Sequence, residues 1–133
     1  MKIWLNGCFD VLHHGHFKLI QHATSFGGQV IIGVDSDERV KKMKGEDRPF
    51  HSESERVFNL KQIKGVDSVV IFNSDEELRE LLERYKPDKF IIGSDYAGKK
   101  IIGGEFAKQI VIFDKLDKFS TTDILNYANN NHR

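Results

Sequence analysis

Five short apolar runs, alternating with segments that mostly carry helix signals, constrain this chain more than any other feature of it. They are Ile3-Trp4-Leu5, Val30-Ile31-Ile32-Gly33-Val34, Val66 to Phe72, Phe90-Ile91-Ile92-Gly93 and Ile110-Val111-Ile112-Phe113. Runs this short that are apolar on both faces read as parallel strands covered by helices, because only a helical layer on each side of a sheet removes both faces from water. The segments between them carry helical punctuation. A first helix is expected from about His14 to Phe26, stopped by Gly27-Gly28. Asp35-Ser36-Asp37 opens a short second helix whose basic end, Lys41-Lys42-Met43-Lys44, runs into the loop Gly45-Glu46-Asp47-Arg48-Pro49. Ser52 and Glu55 have capping-box spacing and start a helix reaching Ile63. After Ser74, acids in the first turn and leucines at helical spacing predict a fourth helix closed by Pro87. Ser94 to Lys108 reads as a Gly- and Lys-bearing connection with room for a helical turn or two, and Ser120-Thr121-Thr122-Asp123 caps a last helix before a fraying Asn129-Asn130-Asn131 tail.

Strands alternating with helices give an α/β fold: a doubly wound, Rossmann-like five-stranded parallel sheet with helices on both faces. Right-handed crossovers then leave a crevice at the carboxyl ends of the strands, where chain order reverses. No internal repeat, low-complexity block or linker divides the 133 residues, so a single domain over 1–133 is expected.

Charge narrows the function. Twenty basic and twenty acidic residues cancel to a formal net charge of zero, which gives no support to a nucleic-acid or membrane-surface partner. The apolar runs fall far short of the roughly twenty residues needed to span a bilayer, and the chain begins directly on a strand pattern; a cytoplasmic protein is expected. The single cysteine, Cys8, forms no intrachain disulfide, in keeping with a reducing compartment.

The stretch Asn6-Gly7-Cys8-Phe9-Asp10-Val11-Leu12-His13-His14-Gly15-His16 sits where the first strand hands over to the first helix. Such a turn collects phosphates, because the first helical N–H groups lack partners and the helix dipole favours an anion there. His13-His14-Gly15-His16 resembles the H-x-G-H motif of the cytidylyltransferase-like nucleotidyltransferase superfamily, Gly7 to His13 its G-x-F-D-x-L-H, and Ser120-Thr121-Thr122 with Ile124 its S-T-T-x-I. Two branches of that superfamily fit the whole length. Asn6 to Asp10, Lys44-Gly45-Glu46-Asp47-Arg48-Pro49 and Gly93-Ser94-Asp95-Tyr96 resemble the adenylyltransferase domains of ADP-heptose synthases. Phe50-His51-Ser52 followed by Glu55-Arg56 resembles glycerol-3-phosphate cytidylyltransferases, while Lys115 to Phe119 departs from both patterns.

The resemblance implies transfer of a nucleoside monophosphate from ATP or CTP to a small phosphorylated acceptor, with release of pyrophosphate and with Mg²⁺ accompanying the triphosphate. An adenylyltransferase acting on a heptose-1-phosphate-like sugar is the preferred subtype, a glycerol-3-phosphate cytidylyltransferase the alternative. It implies catalytic roles for His13, His16 and Lys44, and nucleotide contacts from Gly7, Cys8, Phe9, Gly15, Asp95, Ser120, Thr121 and Thr122. Lys42, Arg48 and Lys64 become candidates for the acceptor, and a homodimer is expected. Simpler readings stand beside these. His14 occupies the motif's variable position, Cys8 suits packing better than nucleophilic attack, and Asp10 suits bracing the turn better than touching substrate. Lys41 belongs to a solvated helix end. Two further classes are a nucleotide-sensing module without catalysis and a metal-binding protein using His13, His14 and His16, for which no carboxylate or cysteine cluster completes a shell.

Overall fold

A computed structural model describes residues 1–96 and 98–114. The strands are β1 (Lys2–Gly7), β2 (Gln29–Asp35), β3 (Val66–Phe72), β4 (Lys89–Gly93) and β5 (Gln109–Phe113); the helices are α1 (His14–Thr24), α2 (Asp37–Lys44), α3 (Glu53–Lys61) and α4 (Asp75–Tyr85). They form one sheet in the order β3-β2-β1-β4-β5, every neighbouring pair parallel. All five expected strands are present. The Ser52–Glu55 capping box forms as its spacing predicts, with Ser52 accepting from the Glu55 backbone N–H and Glu55 accepting from that of Ser52. The expected last helix, with Ser120, Thr121 and Thr122, lies outside the described residues.

Alternation along the strands splits the core in two. Ile3, Leu5, Val30, Ile32 and Val34 face α1 and α3, where they meet Ile20, Ala23 and Leu60. Trp4, Ile31 and Phe90 face the other way, onto Leu78 and Leu82 of α4. A helix that carries the chain from β3 back across to β4 must lie on the opposite face if its crossover is right-handed, which is why α4 covers the second face. Trp4 fits there because Gly33 has no side chain; a Cβ at that position would stand 2.6 Å from the indole ring.

Helix ends differ from expectation by a few residues. α1 stops at Thr24 and Gly27 makes the following turn with φ 76°. α4 is ended by Lys86 in the left-handed region at φ 45°, one residue before Pro87, since a helix cannot easily continue into the residue preceding proline. The connection after β4 holds two single 3-10 turns, Ser94–Tyr96 and Gly104–Phe106. Gly103 lies against α4 at φ 77°, where a Cβ would stand 2.7 Å from Leu82.

Chain order reverses between β1 and β4. Their pairing is registered only at Ile3 with Lys89 and Trp4 with Phe90, so the carboxyl-terminal halves part and open a crevice. No helix among the described residues is long and apolar enough to cross a membrane.

Candidate active site

The first lip of the crevice is the turn between β1 and α1. His13 is the N-cap of α1: its Nδ1 accepts the Gly15 N–H at 3.1 Å, while the His16 Nδ1 accepts the His13 N–H at 3.2 Å. Two histidines thus make the reciprocal pair that Ser or Thr and Glu usually make. In each neutral ring the accepting Nδ1 leaves the proton on Nε2, so both imidazoles keep a donor on the far side of the ring. The rings stack with centroids 3.9 Å apart, and His16 packs on Phe9 at 5.6 Å. Gly15 is buried beneath them.

This turn is strained and heavily braced. Phe9 and Val11 hold positive φ values of 53° and 49°, a region that bulky and β-branched residues rarely occupy and that persists where surroundings enforce it. The enforcement is visible. The Asp10 carboxylate, 1% exposed, accepts the N–H groups of Phe50 at 2.6 Å and His51 at 2.8 Å and lies 3.7 Å from Arg48 Nε. Arg56, fully buried, donates from one guanidinium nitrogen to the carbonyls of Cys8 (2.8 Å) and Asp35 (2.7 Å), from Nε to that of His51 and from its other nitrogen to the Asp37 carboxylate. One arginine and one aspartate therefore tie the β1 turn, the end of β2 and the loop before α3 into a unit.

A cleft of about 280 Å³ opens at the carboxyl ends of the strands. Asn6, Gly7 and Cys8 form one side of it, Asp35, Arg39 and Lys44 another, and Ile91, Ile92 and Tyr96 a third. Lys44 reaches it as the last residue of α2, after which Gly45 at φ 110° turns the chain outward. Gly7 is small for a reason: a Cβ there would stand 3.3 Å from the Phe9 ring. Burial pushes the Cys8 thiol up, although Lys44 and Arg56 oppose this, so Cys8 is a packed thiol rather than a thiolate nucleophile. Burial likewise raises the Asp35 carboxyl, against its hydrogen bond from Arg39. Asp95 is exposed in the 3-10 turn after β4, beside Tyr96, whose phenol is raised by burial and by the Asp95 charge.

The expected site residues do not all converge. Gly7, Cys8 and Lys44 line the cleft; the Gly7-Cys8 backbone leads directly into the turn bearing His13 and His16, which are not among the cleft's lining side chains. Phe9 is buried under His16. Arg48 sits with Asp10 in the bracing loop. Lys42 points to solvent, paired with Glu38 at 3.4 Å. Lys64 and His14 line a separate groove between α1 and the start of β3. Among the described residues no group of three His, Cys, Asp or Glu side chains could hold a metal ion, so these residues offer Mg²⁺ no cage of their own. An ion arriving with a nucleoside triphosphate would be held by phosphate oxygens and water, as Mg²⁺ commonly is.

Sequence reading missed Arg56, Asp35 and Arg39. Arg56 left a trace: it precedes Leu60 by four residues, and both are fully buried, so an arginine occupies the apolar stripe of α3. A charge in that register needs several fixed partners. Asp10 does brace the turn, with its carboxylate held by backbone N–H groups forty and more positions away.

The sequence model of the family described as cytidylyltransferase-like matches residues 4–126. Among the relatives, the bifunctional protein HldE of Campylobacter fetus subsp. fetus (strain 82-40) is 42% identical over 124 residues, 93% of this chain and 27% of that protein. The bifunctional protein HldE of Helicobacter pylori (strain P12) is 39% identical over 130 residues, 98% of this chain and 28% of that protein. The chain thus spans about a quarter of the length of these curated relatives. Among solved structures, the lipopolysaccharide core biosynthesis protein from Thermoplasma volcanium GSS1 superposes with a TM-score of 0.72 at 22% identity, covering 88% of this chain and 98% of that one. Pantothenate synthetase from Thermus thermophilus gives 0.65 at 16% identity, covering 92% and 60%. These two likenesses establish the shared fold.

Proposed function

We propose, from the premise that this chain belongs to the cytidylyltransferase-like family, that it transfers a nucleoside monophosphate from a nucleoside triphosphate to a small sugar or polyol phosphate and releases pyrophosphate. The observation that carries this reading is the histidine capping pair: two imidazoles whose Nδ1 atoms are fixed by backbone N–H groups at a helix N-terminus, next to a cleft supplied with Lys44.

The reaction asks little covalent work of the protein. An oxygen of the acceptor phosphate attacks the α-phosphorus as the bond to pyrophosphate breaks, and negative charge gathers on the equatorial oxygens and on the leaving group. His13 and His16 donate from Nε2 toward that charge, and the start of α1 adds its dipole. Because the rings are held before substrate arrives, the donors need little reorganisation as charge develops. Lys44, at the end of α2, neutralises phosphate charge from the cleft side. Gly7 and Cys8 bring backbone close to the nucleotide, Gly15 lets the phosphates approach α1, and Asp95 takes the ribose or the acceptor. Ser120, Thr121 and Thr122 bind the triphosphate. Bound with the triphosphate, Mg²⁺ would neutralise part of its charge.

Adenylyl transfer to a heptose-1-phosphate-like sugar is the subtype, supported by Lys44 to Pro49, Gly93 to Tyr96 and the likeness to HldE proteins at about 40% identity. A homodimer working in the cytoplasm completes the proposal. Pyrophosphate release from the purified chain, with ATP or CTP against heptose 1-phosphate or glycerol 3-phosphate, tests this. ATP with the heptose should be fastest; faster turnover of CTP with glycerol 3-phosphate would replace the subtype, and tight nucleotide binding without pyrophosphate would replace the enzyme with a sensing module.

A further inference from the structure

The cleft contains a group that phosphate binding does not account for. Asp35 ends β2 at 7% exposure and forms part of the cleft wall, among cations suited to an anionic substrate. A carboxylate there opposes the anion and carries a desolvation cost, which burial registers by raising its carboxyl above the ordinary value. Its placement is nonetheless fixed from several directions. Oδ1 accepts the Arg39 Nε–H at 2.7 Å, and Arg56 holds its backbone carbonyl at 2.7 Å. Arg39 is itself clamped by Asp75 Oδ1 at 2.7 Å and lies over the Phe72 ring at 5.2 Å. The second oxygen, Oδ2, has no hydrogen-bond partner among the described residues and is not sealed in the protein interior. Asp35 is one of the residues that line the cleft.

A carboxylate oxygen accepts and never donates, so its partner must bring a hydrogen. Phosphate oxygens cannot, at neutral pH, whereas hydroxyls can. Beside its cations the cleft also carries apolar side chains, of which the half-buried Ile101 and Ile102 offer surface to the carbon face of a ring or polyol chain. We infer that Asp35 is a specificity-determining residue that accepts a hydrogen bond at Oδ2 from a hydroxyl of the phosphorylated acceptor, with Arg39 as the positioning residue that fixes the carboxylate through Oδ1. The acceptor then lies with its phosphate toward Lys44 and its hydroxylated part toward Asp35. The inference rests on the nucleotidyl-transfer reading and adds to it a residue that selects hydroxyl-bearing acceptors over purely anionic ones.

The test uses the full chain with ATP and heptose 1-phosphate, comparing wild type with Asp35→Asn and Arg39→Lys, and includes monodeoxy analogues of the acceptor. Hydrogen bonds to charged groups contribute about 1.5–3 kcal/mol, or roughly ten- to a hundredfold. Asp35→Asn should raise KM for the acceptor by about that factor, with KM for ATP and kcat changed less than about twofold. One monodeoxy analogue should lose the same factor with wild type and nothing further with Asp35→Asn, which identifies the hydroxyl. Arg39→Lys, which leaves the carboxylate in place but unaligned, should shift acceptor KM in the same direction by a smaller factor. An unchanged acceptor KM in both variants, or equal losses for every analogue in wild type and variant, overturns the inference. Should wild type turn over no acceptor, the transfer reading fails by itself. Calorimetric binding of heptose 1-phosphate then still decides the role of Asp35: weaker binding to Asp35→Asn supports it and equal binding overturns it.

Discussion

The two lips of the crevice are built in opposite ways. The β1 lip is a strained turn held by a buried aspartate, a buried arginine and a pair of interlocked histidines. The β4 lip is a single 3-10 turn, Ser94–Tyr96, with Asp95 exposed, Tyr96 54% exposed and a Gly98 whose Cβ would meet nothing within 4 Å among the described residues. Rigid placement suits groups that must meet charge developing at one phosphorus, where a displacement of about an ångström can cost a hundredfold. A lip of exposed side chains suits recognition, where a substrate can order the groups it touches. Under the proposed function, the difference puts the transfer chemistry on the first lip and leaves the second for contacts that a substrate can order.

Removing Arg56 is the harshest attack on that contrast. Arg56→Ala leaves the Cys8, Asp35 and His51 carbonyls and the Asp37 carboxylate without their donor. Stripping one member from a buried charged network costs about 3–5 kcal/mol, a large part of the stability of a domain this size. Urea unfolding followed by the fluorescence of Trp4, the sole tryptophan and fully buried, should show that loss together with loss of transfer activity. A drop below about 1 kcal/mol would mean that the first lip is no more braced than the second.

His16→Gln separates bracing from chemistry within the same lip. Glutamine is a natural third residue of a capping box and can accept the His13 N–H as His16 Nδ1 does, but it brings no imidazole Nε2–H. Stability should stay within about 1 kcal/mol of wild type, the usual worth of a cap. Turnover should fall by roughly two to four orders of magnitude, as it does when donors to a developing charge are removed. A large stability loss with normal specific activity would make His16 a helix cap and nothing more.

How much of this was legible in the sequence follows the range over which each device acts. The strands and the Ser52–Glu55 cap are local patterns, spaced two or three residues apart, and they appear where the spacing places them. The histidines were visible as chemistry, but their capping role was not, because Ser or Thr and Glu are the residues that usually signal a capping box. The Asp10 bridge to Phe50 and His51 and the Arg56 bridge to Cys8 join residues forty or more positions apart, and no spacing encodes such a meeting. The lysines separate for a related reason. Lys42 and Lys44 belong to one basic run, yet two positions on a helix differ by about 200° around its axis, so Lys44 meets the cleft while Lys42 pairs with Glu38 in solvent.

The β4 lip should respond weakly. Asp95→Ala and Tyr96→Phe alter exposed side chains, and each should change unfolding free energy by no more than about 0.5 kcal/mol. Their effect belongs in substrate KM, about tenfold or less for the loss of a single hydrogen bond, with kcat nearly preserved. A kcat loss comparable to that of His16→Gln would move chemistry onto the second lip and dissolve the division of labour.

The smallest effect concerns protons. Asp35, tied to the braced lip through Arg56, has its carboxyl raised by burial above the ordinary value near 3.8. The folded chain therefore binds that proton more tightly than the unfolded chain does. The associated stability is complete below the unfolded value and lost as pH rises through the folded one. Glu55, exposed at the surface cap of α3, is shifted the other way, below 4.5, by hydrogen bonds from the Ser52 backbone and hydroxyl. Its stability is present above its unfolded value and lost as pH falls through the folded one. Between about pH 3 and 7, the unfolding free energy of wild type relative to Asp35→Asn should decline with rising pH, whereas relative to Glu55→Gln it should climb. Urea titrations at several pH values read both slopes. If the Asp35 difference stays flat, the carboxyl is not held in a desolvated wall, and the braced lip has accommodated its buried charge at no cost in protonation.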